Sequence, residues 1–137
     1  ERNIGFVETR GDPTHGGNSS NVEEHLQSDV QNIFSNYNAF AALKANGRVI
    51  TWGHPNYGGN SLNVEEHLQS NVQNIFSTAC AFAALKTNGR VITWGHPNYG
   101  GNSSKVSEFL LAEVVVIETI GHKKFRATKI DGSRVEW

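Results

Sequence analysis

An imidazole, a carboxamide and a phenol recur together in the loop TWGHPNYGGNS, which is spelled at Thr51 to Ser61 and again at Thr93 to Ser103, 42 residues on. His54, Asn56 and Tyr57 in one copy, and His96, Asn98 and Tyr99 in the next, sit on a backbone shaped by Pro and Gly. Such a set offers hydrogen bonds and rigid aromatic contact area but no nucleophile, so the chemistry it suits is multivalent binding. The competing explanation is that recent copies of one segment have not yet diverged. The matching positions nearer the start of the chain are Asp12, Thr14 and His15, so the loop chemistry is not strictly kept.

The other chemically suggestive residues form no complete set. His25 and His67 lie in short helical patterns and His15, His54 and His96 in or near loops, with no pair at zinc-ligand spacing and no Cys or second His to complete a site. Glu23-Glu24 and Glu65-Glu66 are adjacent pairs, which point in different directions on a helix and suit a solvated helix start. Trp52, Trp94 and Trp137 close successive strand patterns; they suit packing wedges better than sugar-stacking platforms. Cys80 stands alone and reads as a small, semi-buried residue. No Ser-His-Asp, Cys-His or phosphate-cradling Gly loop is present, so the expectation is no enzyme, no metal and no cofactor.

Twelve basic and thirteen acidic residues among 137 leave no basic face for nucleic acid. No apolar run reaches the length of a membrane span, so no membrane insertion is expected. The absence of Met and the start at Glu1 lead us to expect that a leader, a tag or an upstream array preceded this sequence.

Elements that would position the loops follow from the repeat. The 42 residues from Gly17 and the 42 from Gly59 differ at six positions, and a divergent third copy runs from Gly101 to Trp137. Each copy opens on a capping pattern, Ser20 or Asn21 followed by Glu23 or Glu24, with Val22 and Leu26 on one side of a helical turn. Three β-rich runs follow, Val30 to Ser35, Ala39 to Lys44 and Arg48 to Trp52. Asn46-Gly47, Asn88-Gly89 and Asp131-Gly132 imply two-residue hairpin turns between the last two runs. Ala39, Ala41 and Leu43 alternate with Phe40, Ala42 and Lys44, so one face is small and the other large, as in sheets stacked face to face. A lone three-stranded unit cannot cover both faces, and the repeats must be one another's core. In the third copy LLAEVVVIETI reads as a strand buried against a neighbouring unit or another chain, and HKKFRATK places charge on a terminal hairpin where it guards an edge.

With the strands placed, AFAALKxNGxVxTWGxxxxGG resembles the repeat of the regulator of chromosome condensation family, in its short three-stranded bacterial form. The resemblance covers Val30 to Gly59 and Val72 to Gly101 well and Val114 to Trp137 loosely. The Gly-His pair that usually precedes the Ala-Leu strand is replaced by Asn36-Tyr37-Asn38 and Thr78-Ala79-Cys80. It implies a protein-binding propeller and a secreted or surface-associated location. Family rings hold about seven blades, so three units imply a homo-oligomer that completes a ring, an open solenoid, or a piece of a longer array.

The expected fold is mainly β with short helical turns, a single repeat domain over 1–137 with a spare strand at 4–10 and repeats at 11–52, 53–94 and 95–137. The units are propeller-like blades or an open β-solenoid, with a β-trefoil as the alternative. The expected function is non-catalytic protein binding through the inter-repeat loops. The alternatives are a multivalent carbohydrate-binding lectin and a structural spacer of a larger surface or toxin array.

Overall fold

The computed structural model describes residues 6–137. Among these residues nine strands form three separate antiparallel sheets of three strands each. The first unit holds β1 (Val30–Ser35), β2 (Ala39–Lys44) and β3 (Val49–Gly53). The second holds β4 (Val72–Ser77), β5 (Ala81–Lys86) and β6 (Val91–Gly95), and the third β7 (Val114–Ile120), β8 (Lys124–Lys129) and β9 (Arg134–Glu136). Short 3-10 turns, the longest at Ser20–Leu26 and Leu62–Leu68, lead into each unit. The sheets are not closed into a barrel, which excludes the β-trefoil and leaves an open or propeller-like stack.

The units are indeed each other's core. Ala39, Ala41, Leu43 and Val49 on one face of the first sheet pack with Ile75, Phe82, Ile92 and Trp94 on the facing side of the second. Ala81, Ala83, Leu85 and Val91 repeat the arrangement against Ile117, Phe125 and Ala127 of the third. Alanine on the approaching face lets the backbone come close, and the large residues opposite fill the gap. Backbone bonds stitch the units as well, from Val72 N to Gly47 O at 3.1 Å and from Val114 N to Gly89 O at 3.0 Å.

Three sequence expectations are corrected. The Asn-Gly hairpins are three-residue loops: Lys44 N donates to Arg48 O, and only Gly47, at φ 86°, takes a positive angle while Asn46 does not. The Asn46 side chain instead accepts from Arg48 N at 3.0 Å. The capping pattern is also displaced. Ser19 is the N-cap, without a side-chain cap bond, because its hydroxyl is held by Thr9 at 2.9 Å. Asn18 takes over the local role by accepting from Ser20 N. Third, LLAEVVVIETI is not buried throughout against its neighbouring unit: within β7 only Val114 and Ile117 are buried, while Val115 and Val116 are exposed. A bulge between Val114 and Val116, repeated at Val30/Asn32 and Val72/Asn74, breaks the two-residue alternation there. Ile4 and Gly5 of the spare strand expected at 4–10 lie outside the described residues; its described part, Phe6 to Arg10, joins no strand ladder. The segment is held instead by Val7 N donating to Leu26 O at 2.7 Å.

Candidate functional site

His54 and His96 each begin a one-turn 3-10 helix, Pro55–Tyr57 and Pro97–Tyr99. Proline at the first position supplies the required φ and needs no hydrogen-bond partner. The imidazole serves as the cap, with Nδ1 accepting from Asn56 N and from Asn98 N at 3.2 Å. That bond fixes each ring's orientation and leaves the rest of the ring half-exposed. Gly58, at φ 106°, ends the turn; a Cβ there would stand 2.5 Å from the Phe82 ring, so the loop is pressed directly onto the core of the next unit.

The sequence treats the two loops as separate copies, whereas the structure joins them. The Tyr57 ring lies 4.8 Å from His54 of its own loop and 6.2 Å from His96 of the next, and His96 lies 5.2 Å from Tyr99. All these contacts are edge-on, the orientation in which ring quadrupoles attract. The ladder ends on a cation, Lys123 Nζ, 5.5 Å from the centre of the Tyr99 ring. His54, Tyr57, His96 and Tyr99 are half-buried, and Asn56 and Asn98 stand exposed at the turn tips. All six loop residues singled out in the sequence therefore lie along one strip.

The positions that lack the family's Gly-His pair anchor this strip. Asn36 Nδ2 donates to Tyr57 O at 2.5 Å, and Thr78 Oγ1 donates to Tyr99 O at 2.6 Å. Each unit thus clamps the loop that follows it. Sequence reasoning missed this role, and the only signal was a polar residue at both departing positions. It also missed Asn60 and Asn63, which with Pro55, Asn56, His96 and Pro97 line a shallow groove beside the ladder.

The tryptophans are structural. Trp52 and Trp94 are each 5% exposed, and their Nε1 groups donate to Gly16 O and Gly58 O at 3.1 Å. Trp137 makes the same bond to Gly100 O at 3.0 Å. Trp52 and Trp94, sealed in this way, have no free face for a sugar, whereas Trp137 is only partly buried. Cys80 is buried, and burial pushes its thiol pKa up, which makes it a poor nucleophile. Among the described residues no three His, Cys, Asp or Glu side chains converge on a point that could hold a metal ion. No helix among them is long and apolar enough to cross a membrane.

Three solved structures are similar in fold. Prp20p from Saccharomyces cerevisiae, described with its binding properties to Gsp1p and histones, matches with a TM-score of 0.54 at 19% identity, over 79% of this chain and 30% of that one. Yeast RCC1 (Prp20) bound by Kap60 matches at 0.52 and 18% identity, over 78% of this chain and 29% of that one. Human WBSCR16 matches at 0.51 and 21%, over 79% and 34%. The fold is therefore similar to that of RCC1/Prp20-type repeat proteins. The chain spans about a third of the length of these proteins. No protein-family model matches the sequence, and no curated protein sequence does.

Proposed function

We propose that this chain is a non-catalytic binding module that holds a protein segment along the His54–Tyr57–His96–Tyr99 ladder. The observation that carries this reading is the continuity of the ladder across a unit boundary. Two loops 42 residues apart present one strip of half-exposed rings, with the two imidazoles held by their cap bonds and the backbone carbonyls of both tyrosines held by Asn36 and Thr78. Rings held in place before binding lose little freedom when a partner lands, which is why tyrosine dominates binding hot spots. The ligand chemistry that suits the strip is an extended peptide with apolar or cationic side chains. The rings would take its side chains, and Asn56 and Asn98 its backbone groups.

The test is selection of a displayed peptide library on the immobilised chain, repeated with a Tyr57→Ala, Tyr99→Ala variant confirmed to be folded. Peptides enriched on the native chain and lost on the variant are the expected result. Enrichment indifferent to both substitutions would refute the reading. A glycan array run in parallel addresses the lectin alternative, for which Tyr, His and the partly buried Trp137 remain as platforms while Trp52 and Trp94 are buried. Glycans retained in a Tyr57- and Tyr99-dependent way would favour it over peptide binding.

A further inference from the structure

A groove runs between the first and second units along β3, whose residues Val49 to Gly53 form its floor. One wall comes from the turn Ser20–Leu26, through Asn21, Val22 and His25. The other comes from the turn Leu62–Leu68 and its C-cap, through Leu62, Glu65 and Gln69. Floor and walls thus belong to two consecutive units and the junction between them.

Arg48, at the head of β3, lines this groove and is partly buried. Its Nε is shielded from solvent and meets no acceptor, and among the described residues no other buried side-chain nitrogen or oxygen is in that position. Nor does its guanidinium take part in any of the ion pairs among those residues. A shielded N–H without an acceptor is unfavourable, so a ligand that supplies the acceptor relieves that penalty as it binds. Arg90 holds the same place in the second unit, yet its Nε is not orphaned. The wall has changed there too: repeat register puts Ser107 and Leu111 where Glu65 and Gln69 stand.

The rest of the groove selects the acceptor. Arg48 and Glu65 are the only fully charged side chains lining it, and His25 Nε2 lies 3.6 Å from Glu24 of its own turn. One guanidinium matches one carboxylate in a two-bond fork. A phosphate dianion would instead bring two charges to a single cation with Glu65 on the opposite wall. Amides supply the remaining polar contacts. Asn60 Oδ1 accepts from Leu62 N, which leaves the Asn60 amide hydrogens to donate. Gln69 Nε2 donates to Glu65 O, which leaves the Gln69 side-chain oxygen to accept. Leu62, 71% exposed, offers apolar surface on the same wall. A cation, paired amide donors and acceptors, and an apolar patch together match a peptide backbone carrying a carboxylate beside an apolar side chain.

We propose that this groove is a second binding site, separate from the ring ladder, which takes a carboxylate-bearing peptide segment of a partner protein. Arg48 anchors the carboxylate, Asn60 and Gln69 hold backbone groups, and Leu62 packs the neighbouring apolar side chain.

The probes are three acetylated dipeptides: glutamyl-leucine amide, glutaminyl-leucine amide and glutaminyl-leucine free acid. Each is titrated into the isotope-labelled native chain, and NMR follows the backbone amides together with the Nε–H signals of Arg48 and Arg90. A carboxylate peptide is expected to shift Arg48 Nε–H and the amides of Glu65 and Gln69 saturably, and the uncharged peptide should bind about tenfold more weakly. A response to the glutamyl amide alone assigns the site to an acidic side chain, and a response to the free acid alone assigns it to a chain terminus. Arg48→Gln, shown to be folded by circular dichroism, should abolish the response, and the Tyr57→Ala, Tyr99→Ala variant should keep it. That second variant separates the fate of this site from the fate of the ladder. No saturable shift at Arg48 from either carboxylate peptide would overturn the proposal, as would equal binding of the uncharged peptide. A parallel shift of Arg90 Nε–H would overturn it too, since any partly exposed arginine would then suffice. This last comparison lies within the native chain and holds even if Arg48→Gln does not fold.

Discussion

Ile33 and Ile75 occupy the same position in two nearly identical units, and the stack predicts that truncating them has very different costs. Removing the three outer carbons of a buried isoleucine forfeits roughly 0.8 kcal/mol each, about 2.4 kcal/mol in all, and the cavity left behind adds about 1 kcal/mol more. Ile75 is 2% exposed between two sheets, so Ile75→Ala should cost about 3 kcal/mol. Ile33 is 42% exposed, which scales the transfer loss to about 1.4 kcal/mol, and solvent can enter the gap, so no closed cavity remains. The expected difference is about 2 kcal/mol, read from urea unfolding of the two variants beside the native chain. Equal losses would refute the reasoning. They would mean that the first unit's rear face is covered in solution, or that burial between sheets is not what holds the units together.

Further expectations follow from single bonds and angles. Trp94→Phe keeps most of the apolar volume but leaves Gly58 O without its donor, and should cost about 1–3 kcal/mol in the same assay. Glu113 sits at φ 72° where the other units carry Asn71 and Asp29 at 66° and 65°; Asn tolerates this region better than Glu, so Glu113→Asn should stabilise the chain by about 0.5–1 kcal/mol. The Asp131 carboxyl titrates below its ordinary value of 3.8 because the Ser133 hydroxyl and backbone N–H both donate to it. A lowered folded-state value stabilises the terminal hairpin above the unfolded value and is lost as pH falls through the folded one. NMR titration should show this hairpin loosening in acid while the Asn46 and Asn88 hairpins, whose capping groups are amides, do not. Native Cys80 should resist a thiol reagent and react at the rate of global unfolding, and rapid labelling would contradict its burial.

Much of this architecture was legible because the repeat doubled the signal. Strand positions such as Ala39–Lys44 followed from alternation, and the mutual covering of units followed from Ala39 and Ala41 opposing Phe40. Turn chemistry was less legible: Asn46-Gly47 fits both a two-residue and a three-residue loop, and the choice falls to which pair closes the ladder. The ring ladder was not legible at all. Its residues were flagged loop by loop, yet the Tyr57–His96 approach depends on the pitch from one sheet to the next, which no local pattern encodes.

The charged face of the third sheet shows the same limit in sharper form. Lys124, Arg126 and Lys129 are visible in the sequence as a basic hairpin, and solvation accounts for such a run without further argument. What gives it meaning is register. Phe125 keeps the place of Phe40 and Phe82, so its neighbours Lys124 and Arg126 must fall on the face where the other units carry alanine. Glu118 and Glu136 come from the two flanking strands and meet Arg126 only because both ladders hold that register. A one-residue slip in either would scatter the cluster across two faces. The same alternation that builds an apolar contact between the first two units therefore builds a polar face on the third.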